Sequence, residues 1–203
     1  MDTMVAMPSS RETTPRSGPD PISDQYAAIA TGDPALALRA VAPDWTNREA
    51  EGEPPAARQG GPIGLAVTVA WLRSAFSDIA FDELERVSQG DTVVSRVRMS
   101  ARQTGPLVLF DGDRAVVFPT SGRRFVIEQV HIHRLRDGQV VGHLARRDDL
   151  GMMQQLGHLP PRPGTIARMV WWRLTGRTRR AALEAKQLGE SAAAEMQRWI
   201  SGR

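Results

Sequence analysis

A long hairpin pattern in the second half of the chain constrains the fold more than any other feature. Residues 123–147, "RRFVIEQVHIHRLRDGQVVGHLARR", alternate apolar and polar side chains on both sides of Asp137 and Gly138. Alternation with a period of two around an Asp-Gly turn is typical of two antiparallel strands. Residues 80–102 show a second such pattern, in which a Gly90-Asp91 turn precedes β-branched residues. This part of the chain therefore predicts an antiparallel sheet.

Helical patterns come before these strands. Ser23 offers an N-cap, and two short apolar helical stretches follow it. Gly32 and Pro34 separate the two stretches, and Pro43 ends the second. Residues 62–78 then predict the longest helix of the core, with one face against the sheet. The apolar positions of that face are Leu65, Val69, Leu72 and Phe76. Helices followed by strands favour an α+β fold, with helices packed on one side of a curved antiparallel sheet.

The composition predicts one domain with additional chain at both ends. With 203 residues and 41% hydrophobic residues, the chain can form one compact core. Residues 1–22 mix Pro, Ser, Thr and charge without periodicity, so we expect them to be disordered. We expect a domain over 23–160 and a basic tail over 161–203. The sequence has no signal peptide and no apolar run near the ~18 residues of a membrane span, which predicts a soluble cytoplasmic protein.

Basic charge is concentrated in the tail, although the whole chain carries a net charge of only +3. Residues 162–203 contain nine Lys or Arg and three Asp or Glu. No nucleic-acid-binding motif surrounds these residues, so we expect no specific contact with nucleic acid. Two amphipathic helices are predicted, which pack on the domain or on a partner copy, or touch an anionic membrane surface weakly. Their apolar positions are Ile166, Met169, Val170, Trp171, Trp172, Leu174, Ala192, Met196, Trp199 and Ile200.

The hairpin holds three of the four histidines, and its loop length decides which side chains share a face. If the loop is Asp137 and Gly138 alone, His131 lies opposite Leu144. If Arg136 joins the loop, His131 lies opposite His143 and Gln129 lies opposite Ala145. In that second register Gln129, His131, His133 and His143 point to one side, which predicts a polar patch in a wetted cavity.

A metal site is the less favoured interpretation of these histidines. His131 and His133, two residues apart on a strand, could share a metal ion, but no carboxylate is predicted on that face. The sequence contains no cysteine, which excludes disulfides, thiolate ligands and a cysteine nucleophile. We therefore expect no bound metal.

Several motifs resemble those of a known family. Residues 122–157, with "RxxDGQVVxH" at the hairpin and "DLGMMQQLG" at the end, are similar to the C-terminal half of SnoaL-like polyketide cyclases (ester cyclases). That family belongs to the nuclear transport factor 2-like superfamily. The upstream segments "APDWTN", "WLRSAFSDIAF" and "SQGDTVVSRVRMSARQTG" are similar as well. The resemblance covers about residues 23–160 and neither end of the chain.

The resemblance implies a cone-shaped α+β barrel around an apolar cavity, usually in a homodimer. It also implies ring closure of an aromatic polyketide ester in secondary metabolism by intramolecular aldol addition, without a metal or an organic cofactor. Gln129 and His131 match positions that line the cavity in the antibiotic-biosynthesis cyclases, and Asn47 matches a residue near its mouth. The hydrophobic ligand would then contact Gln129, His133, Asn47, Arg102 and Ala145.

Two departures from the family pattern affect the expected chemistry. The acid/base aspartate of the family falls at Ala145, and a methyl group cannot transfer a proton. Asp148 and Asp149 lie just downstream, where an N-cap or solvated role is favoured. His131 and His143 could instead act as base and donor, since an unperturbed imidazole has a pKa near ~6.5.

The second departure alters the rim of the pocket. Arg102 and Gln103 replace a Gly-Thr-His motif of the family, and residues 106–118 are longer than its usual connection. The function predicted from the sequence is a polyketide ester cyclase with His131 and His143 as catalytic residues. The alternatives are a ligand-binding protein that has lost catalysis and, less favoured, a cofactor-independent oxygenase.

Overall fold

The computed structural model describes residues 20–112, 114–161 and 163–202. Its α-helices are α1 (Pro21–Thr31), α2 (Pro34–Ala40), α3 (Gly61–Ala75), α4 (Asp149–Leu156), α5 (Pro163–Leu174) and α6 (Arg177–Ser201). Two 3₁₀ helices span Arg48–Gly52 and Pro55–Gln59. The strands are β1 (Val41–Asn47), β2 (Phe76–Gln89), β3 (Thr92–Gln103), β4 (Leu107–Asp111), β5 (Arg114–Phe118), β6 (Arg124–Arg136) and β7 (Gln139–Arg147). The disorder predicted for residues 1–22 falls mostly on residues 1–19, which lie outside the described residues.

The predicted α+β fold is confirmed. Five strands form a curved sheet in the order β1-β7-β6-β3-β2, and β4 and β5 form a separate hairpin. β1 runs parallel to β7, so the sheet is mixed, whereas the sequence predicted only antiparallel pairing. Its edge strands β1 and β2 do not pair with each other, so the sheet does not close. Irregular pairing in β2, where Asp78 has a positive φ of 53°, contributes to the curvature.

The first helices begin and end where their capping residues dictate. Asp20, and not Ser23, is the N-cap of α1: its side chain accepts the Ile22 backbone N–H at 3.2 Å and the Ser23 hydroxyl at 2.6 Å. Ser23 therefore lies inside the first turn as a donor. Gly32 ends α1 with a φ of 83°, and Pro34 begins α2, as the sequence predicts.

The β6–β7 hairpin has neither of the two registers considered from the sequence. Asp137 and Gly138 alone form the loop, both with positive φ, as a type I′ turn requires. A bulge at Val141 then shifts the pairing by one residue. His131 therefore lies opposite Ala145, and His133 lies opposite His143. This pairing differs by two residues from the pairing expected for the three-residue loop. Since side chains alternate between the faces with a period of two, all three histidines still share one face.

The β4–β5 hairpin and the C-terminal helix α6 cover the core beside α3. Trp71 of α3 donates its indole N–H to the Val108 carbonyl at 2.8 Å, which anchors the hairpin. Apolar residues of the hairpin pack against Ala181 and Ala185 of α6. Met196, further along α6, is 2% exposed and belongs to the main core. The predicted packing of the tail on the domain therefore holds for α6.

Helix α5 has a different environment. Its apolar side chains Ile166, Val170, Trp171 and Leu174 are all exposed, the last by 81%. Within the described residues, no helix combines the length and hydropathy needed to cross a membrane.

Candidate functional site

A largely apolar cavity of about 320 Å³ lies between the inner face of the sheet and the elements that cover it. Its walls come from the sheet, from helices α1, α3 and α4, from the first 3₁₀ helix with Glu53, and from β4. Apolar wall residues include Ile29, Trp45, Leu65, Trp71, Phe76, Phe81, Leu109 and Ile127. Polar groups on the wall include Asn47, Glu49, Glu53, Gln129, His131, His143 and Arg147. The cavity suits an apolar ligand that carries a few oxygen atoms.

The polar groups lie in a row of close contacts along one side of the cavity. His131 Nε2 lies 2.8 Å from Gln129 Oε1, and His131 Nδ1 lies 2.9 Å from His143 Nε2. His143 Nδ1 lies 3.0 Å from Asn47 Oδ1. Each ring nitrogen of His131 and of His143 thus lies within 3.0 Å of a nitrogen or oxygen atom of another side chain. A ligand in the cavity meets these rings without a free ring N–H.

The row of contacts continues to a buried carboxyl group. Asn47 donates from Nδ2 to Glu53 Oε1 at 3.3 Å, and the Thr68 hydroxyl donates to Glu53 Oε2. Glu53 is 2% exposed. Burial raises its pKa to about 7, although the bonds from Thr68 and Asn47 and the charge of Arg147 oppose that rise. A carboxyl group with this pKa can accept and return a proton near neutral pH.

The same burial keeps the imidazoles neutral. Desolvation, together with the charge of Arg147, lowers the pKa of His131 to about 4. Desolvation lowers the pKa of His133 to about 3 and that of His143 well below its usual value.

His133 lies beside the other two rings but does not line the cavity. Its ring is 6.0 Å from that of His131 and 5.0 Å from that of His143, centre to centre. It is fully buried, and neither ring nitrogen has a hydrogen-bond partner among the described residues. The direct ligand contact predicted for His133 is therefore not part of this geometry.

Ala145 is buried on the cavity wall, and a carboxylate from another segment lies next to it. The Ala145 backbone N–H donates to Glu49 Oε1 at 3.1 Å. Glu49 also forms salt bridges to Arg146 and Arg147, at 3.9 and 3.6 Å. Two carboxyl groups from residues 49–53 thus reach the cavity, beside the position to which the resemblance assigns the family's aspartate.

The remaining predicted residues divide between the cavity and the surface. Asn47 lines the cavity, as the resemblance implies. Arg102 does not: its side chain is exposed on the outer face of β3 and donates to the Gly122 carbonyl at 3.0 Å. Asp148 is the N-cap of α4 and accepts the Gly151 N–H at 2.8 Å, so the predicted capping role is confirmed. Asp149 reaches the cavity edge and pairs with Arg147 at 3.5 Å.

Glu53, like Glu49 and Arg147 on the same wall, is a site residue that the sequence did not reveal. It lies in "EGEPP", a polar, proline-containing segment without periodicity, and nothing in that pattern separates it from exposed Glu51. Its burial comes from contacts with α3 and β1, which only the folded chain provides.

Comparison with known proteins agrees with the motifs. The sequence profile described as SnoaL-like polyketide cyclase matches residues 22–156. The aklanonic acid methyl ester cyclase DnrD of Streptomyces peucetius is 36% identical over 104 residues, which are 51% of this chain and 66% of DnrD. The chain thus spans just under two thirds of that relative. The nogalonic acid methyl ester cyclase of Streptomyces nogalater is 34% identical over 98 residues, 48% of this chain and 67% of that protein.

A solved structure shares the fold. TsrD from Streptomyces laurentii superimposes with a TM-score of 0.56 at 28% sequence identity. The match covers 68% of this chain and 92% of TsrD.

Proposed function

Since the chain belongs to the SnoaL-like polyketide cyclase family, we propose that it is a polyketide ester cyclase that closes a ring by intramolecular aldol addition. The supporting observation is the carboxyl group of Glu53, which lines the cavity with a pKa raised to about 7. The proposed substrate class is an aromatic polyketide methyl ester, in line with the methyl esters of aklanonic and nogalonic acid in the names of the relatives.

Glu53 takes the role of the missing family aspartate in this proposal. Its carboxylate removes a proton from a carbon flanked by two carbonyl groups, and the resulting carbanion attacks a carbonyl carbon of the same molecule. A carbon–carbon bond forms, the carbonyl electrons move to oxygen, and the alkoxide takes the proton back from Glu53. Such acid/base catalysis contributes about 10²- to 10⁴-fold in rate.

Gln129 is the proposed hydrogen-bond donor to the developing alkoxide. Its Oε1 faces His131, and its Nε2 lies 3.2 Å from the Met99 sulfur, a weak acceptor that a stronger one can displace. His131 and His143 then act as positioning residues, because His131 Nε2 holds Gln129 Oε1 at 2.8 Å and the His143 ring stacks on that of His131. This differs from the direct catalytic role predicted for the two histidines from the sequence.

The test measures ring closure of aklanonic and nogalonic acid methyl esters by chromatography and mass spectrometry. We expect turnover by the natural protein and at least a 100-fold loss in Glu53→Gln. Glu51→Gln, a change at an exposed residue two positions away, is the matched control and should keep the natural rate. Equal turnover by Glu53→Gln and the natural protein would rule out the role of Glu53.

Ala145 favours a second candidate, a ligand-binding protein of the same fold that has lost catalysis. In that case the natural protein binds the esters without turnover, and Ala145→Asp restores ring closure. The homodimer, the cytoplasmic location and a weak contact of the tail with anionic membranes stay predictions. The exposed apolar side chains of α5 are compatible with such a contact.

A further inference from the structure

Three histidines meet at one point on the sheet. His131 and His133 are two residues apart on β6, and His143 lies opposite His133 on β7. Each offers a ring nitrogen, and these three nitrogens lie within 4.8 Å of one another. Three imidazoles from neighbouring strands form a donor set that suits first-row divalent metals.

The outer nitrogens of His131 and His143 face amide oxygens. Asn47 is fixed in orientation, because its Oδ1 accepts the Glu49 backbone N–H at 3.1 Å and its Nδ2 donates to Glu53. His143 Nδ1 must therefore carry a hydrogen to bond Asn47 Oδ1. His131 Nε2 also carries one when the Gln129 amide has the orientation that places its Oε1 2.8 Å from His131 Nε2 and its Nε2 3.2 Å from the Met99 sulfur. Metal-binding histidines characteristically donate their second N–H to such oxygens.

The inner nitrogens are then left with facing lone pairs. In neutral rings, neither His131 Nδ1 nor His143 Nε2 has a hydrogen, although the two atoms are only 2.9 Å apart. A bound cation satisfies both lone pairs and leaves the outer hydrogen bonds intact.

His133 points to the same conclusion independently. Its side chain is fully buried, and both ring nitrogens are without partners among the described residues. A buried polar atom left unsatisfied costs about 1–3 kcal/mol. A ligand role for one nitrogen explains why a histidine occupies this position.

We propose that His131, His133 and His143 bind a divalent first-row metal ion such as zinc, with a fourth position open to the cavity. Zinc–nitrogen bonds of about 2.0–2.1 Å in tetrahedral geometry place ligand nitrogens about 3.3 Å apart. Zinc binding therefore lengthens the distance between His131 Nδ1 and His143 Nε2 by about 0.4 Å from 2.9 Å. It also requires the His133 ring to turn toward the metal. The sequence predicted no metal because no carboxylate was expected on this face. A zinc site with three histidine ligands does not require a carboxylate ligand.

The open position faces the cavity because His131 and His143 line it. A metal there binds ligands through a carbonyl, enolate or hydroxyl oxygen. The inference goes beyond the proposed ring closure and does not depend on it, since metal binding is measured without substrate.

The test uses the full chain without a histidine tag. We expect one zinc per chain by calorimetry, and the visible absorption bands of tetrahedral cobalt when Co²⁺ replaces zinc. With Cu²⁺, electron paramagnetic resonance should show splitting from imidazole nitrogens, which identifies the donors in the natural protein. The absence of stoichiometric zinc binding would overturn the proposal.

His133→Phe is the decisive variant, because it removes one ligand and should fold well. Phenylalanine keeps a planar ring without leaving an unsatisfied polar atom, and the melting temperature of the metal-free variant checks that it folds. We expect zinc affinity to fall at least about 100-fold. His158→Asn removes the histidine outside the cluster and should leave zinc affinity unchanged. Equal affinity in His133→Phe and the natural protein would refute the site even if ring closure is observed.

Discussion

At the scale of single residues, burial decides the chemistry of Glu53. Glu51 and Glu53 are two residues apart in the same polar segment, but only Glu53 is enclosed by α3 and β1. Its raised pKa makes Glu53 the proposed replacement for the acid/base aspartate that the resemblance places at position 145, where this chain has alanine. The replacement comes from a distant part of the chain, so inspection of the hairpin motif alone could not identify it.

The pKa of Glu53 predicts a pH dependence of stability. A carboxyl whose folded pKa is raised from 4.5 to about 7 stabilises the fold fully below pH 4.5, and this contribution is lost as pH rises through 7. Chemical denaturation should therefore show Glu53→Gln gaining stability relative to the natural protein between pH 5 and pH 8. The shift corresponds to a gain on the order of 3 kcal/mol.

The groups that face Glu53 define the control for this prediction. They are Thr68 on α3, Asn47 on β1, Arg147 on β7 and Glu49 on the first 3₁₀ helix. Exposed Glu51→Gln leaves all of them in place and should show no such gain. A constant difference between Glu53→Gln and the natural protein across this pH range would contradict a buried, titrating Glu53.

At the scale of elements, close packing determines the position of α6. Gly189 faces the start of the second 3₁₀ helix and α3: a Cβ there would lie 2.9 Å from Cβ of Pro54, the residue that precedes the 3₁₀ helix, and 3.3 Å from Val67 Cγ1. A larger side chain must push the helix away, because neither neighbour has a flexible end to move. The glycine thus allows the tail to pack against the core.

Gly189→Leu should therefore destabilise the protein. Overpacking of this kind costs about 1–3 kcal/mol, despite the better helix propensity of leucine. Thermal unfolding and limited proteolysis of α6 measure the effect. Ala194→Leu adds a leucine to an exposed position of the same helix and should change little. Equal melting temperatures for the two variants would show that α6 is not held by this contact.

At the scale of the whole molecule, the outer face of the sheet carries apolar side chains that no other described part of the chain covers. Val87, Val126 and Val130 are exposed by 58%, 50% and 38%, next to the ion pair of Arg96 and Glu128 at 2.9 Å. Exposed apolar side chains rimmed by charges are typical of protein interfaces. This face is where we expect the homodimer that the family resemblance implies.

Sedimentation analysis should accordingly give twice the 22.3 kDa mass of one chain. Val130→Asp places a charge in the expected interface and should shift the protein toward monomer. Val116→Asp, at a 52% exposed valine of β5, is the matched control and should remain dimeric. Dissociation in both variants, or in neither, would place the interface elsewhere.

The sequence by itself determined the order and type of the elements. Period-two alternation and the turns at Gly90-Asp91 and Asp137-Gly138 predicted the strands, and apolar spacing predicted α3 and both tail helices. These patterns are local, because each records which side of an element faces the core. Proline and glycine marked the junction between α1 and α2 for the same reason, since they act on their own backbone.

Only the tertiary structure decided what the site contains. The bulge at Val141 set the pairing of His133 with His143, and one extra residue in a strand leaves no clear trace in alternation. The parallel pairing of β1, the burial of Glu53 and the outward position of Arg102 depend on contacts between segments far apart in the chain. Burial and the charges that surround a group follow from such contacts, and these set the pKa of the cavity carboxyl.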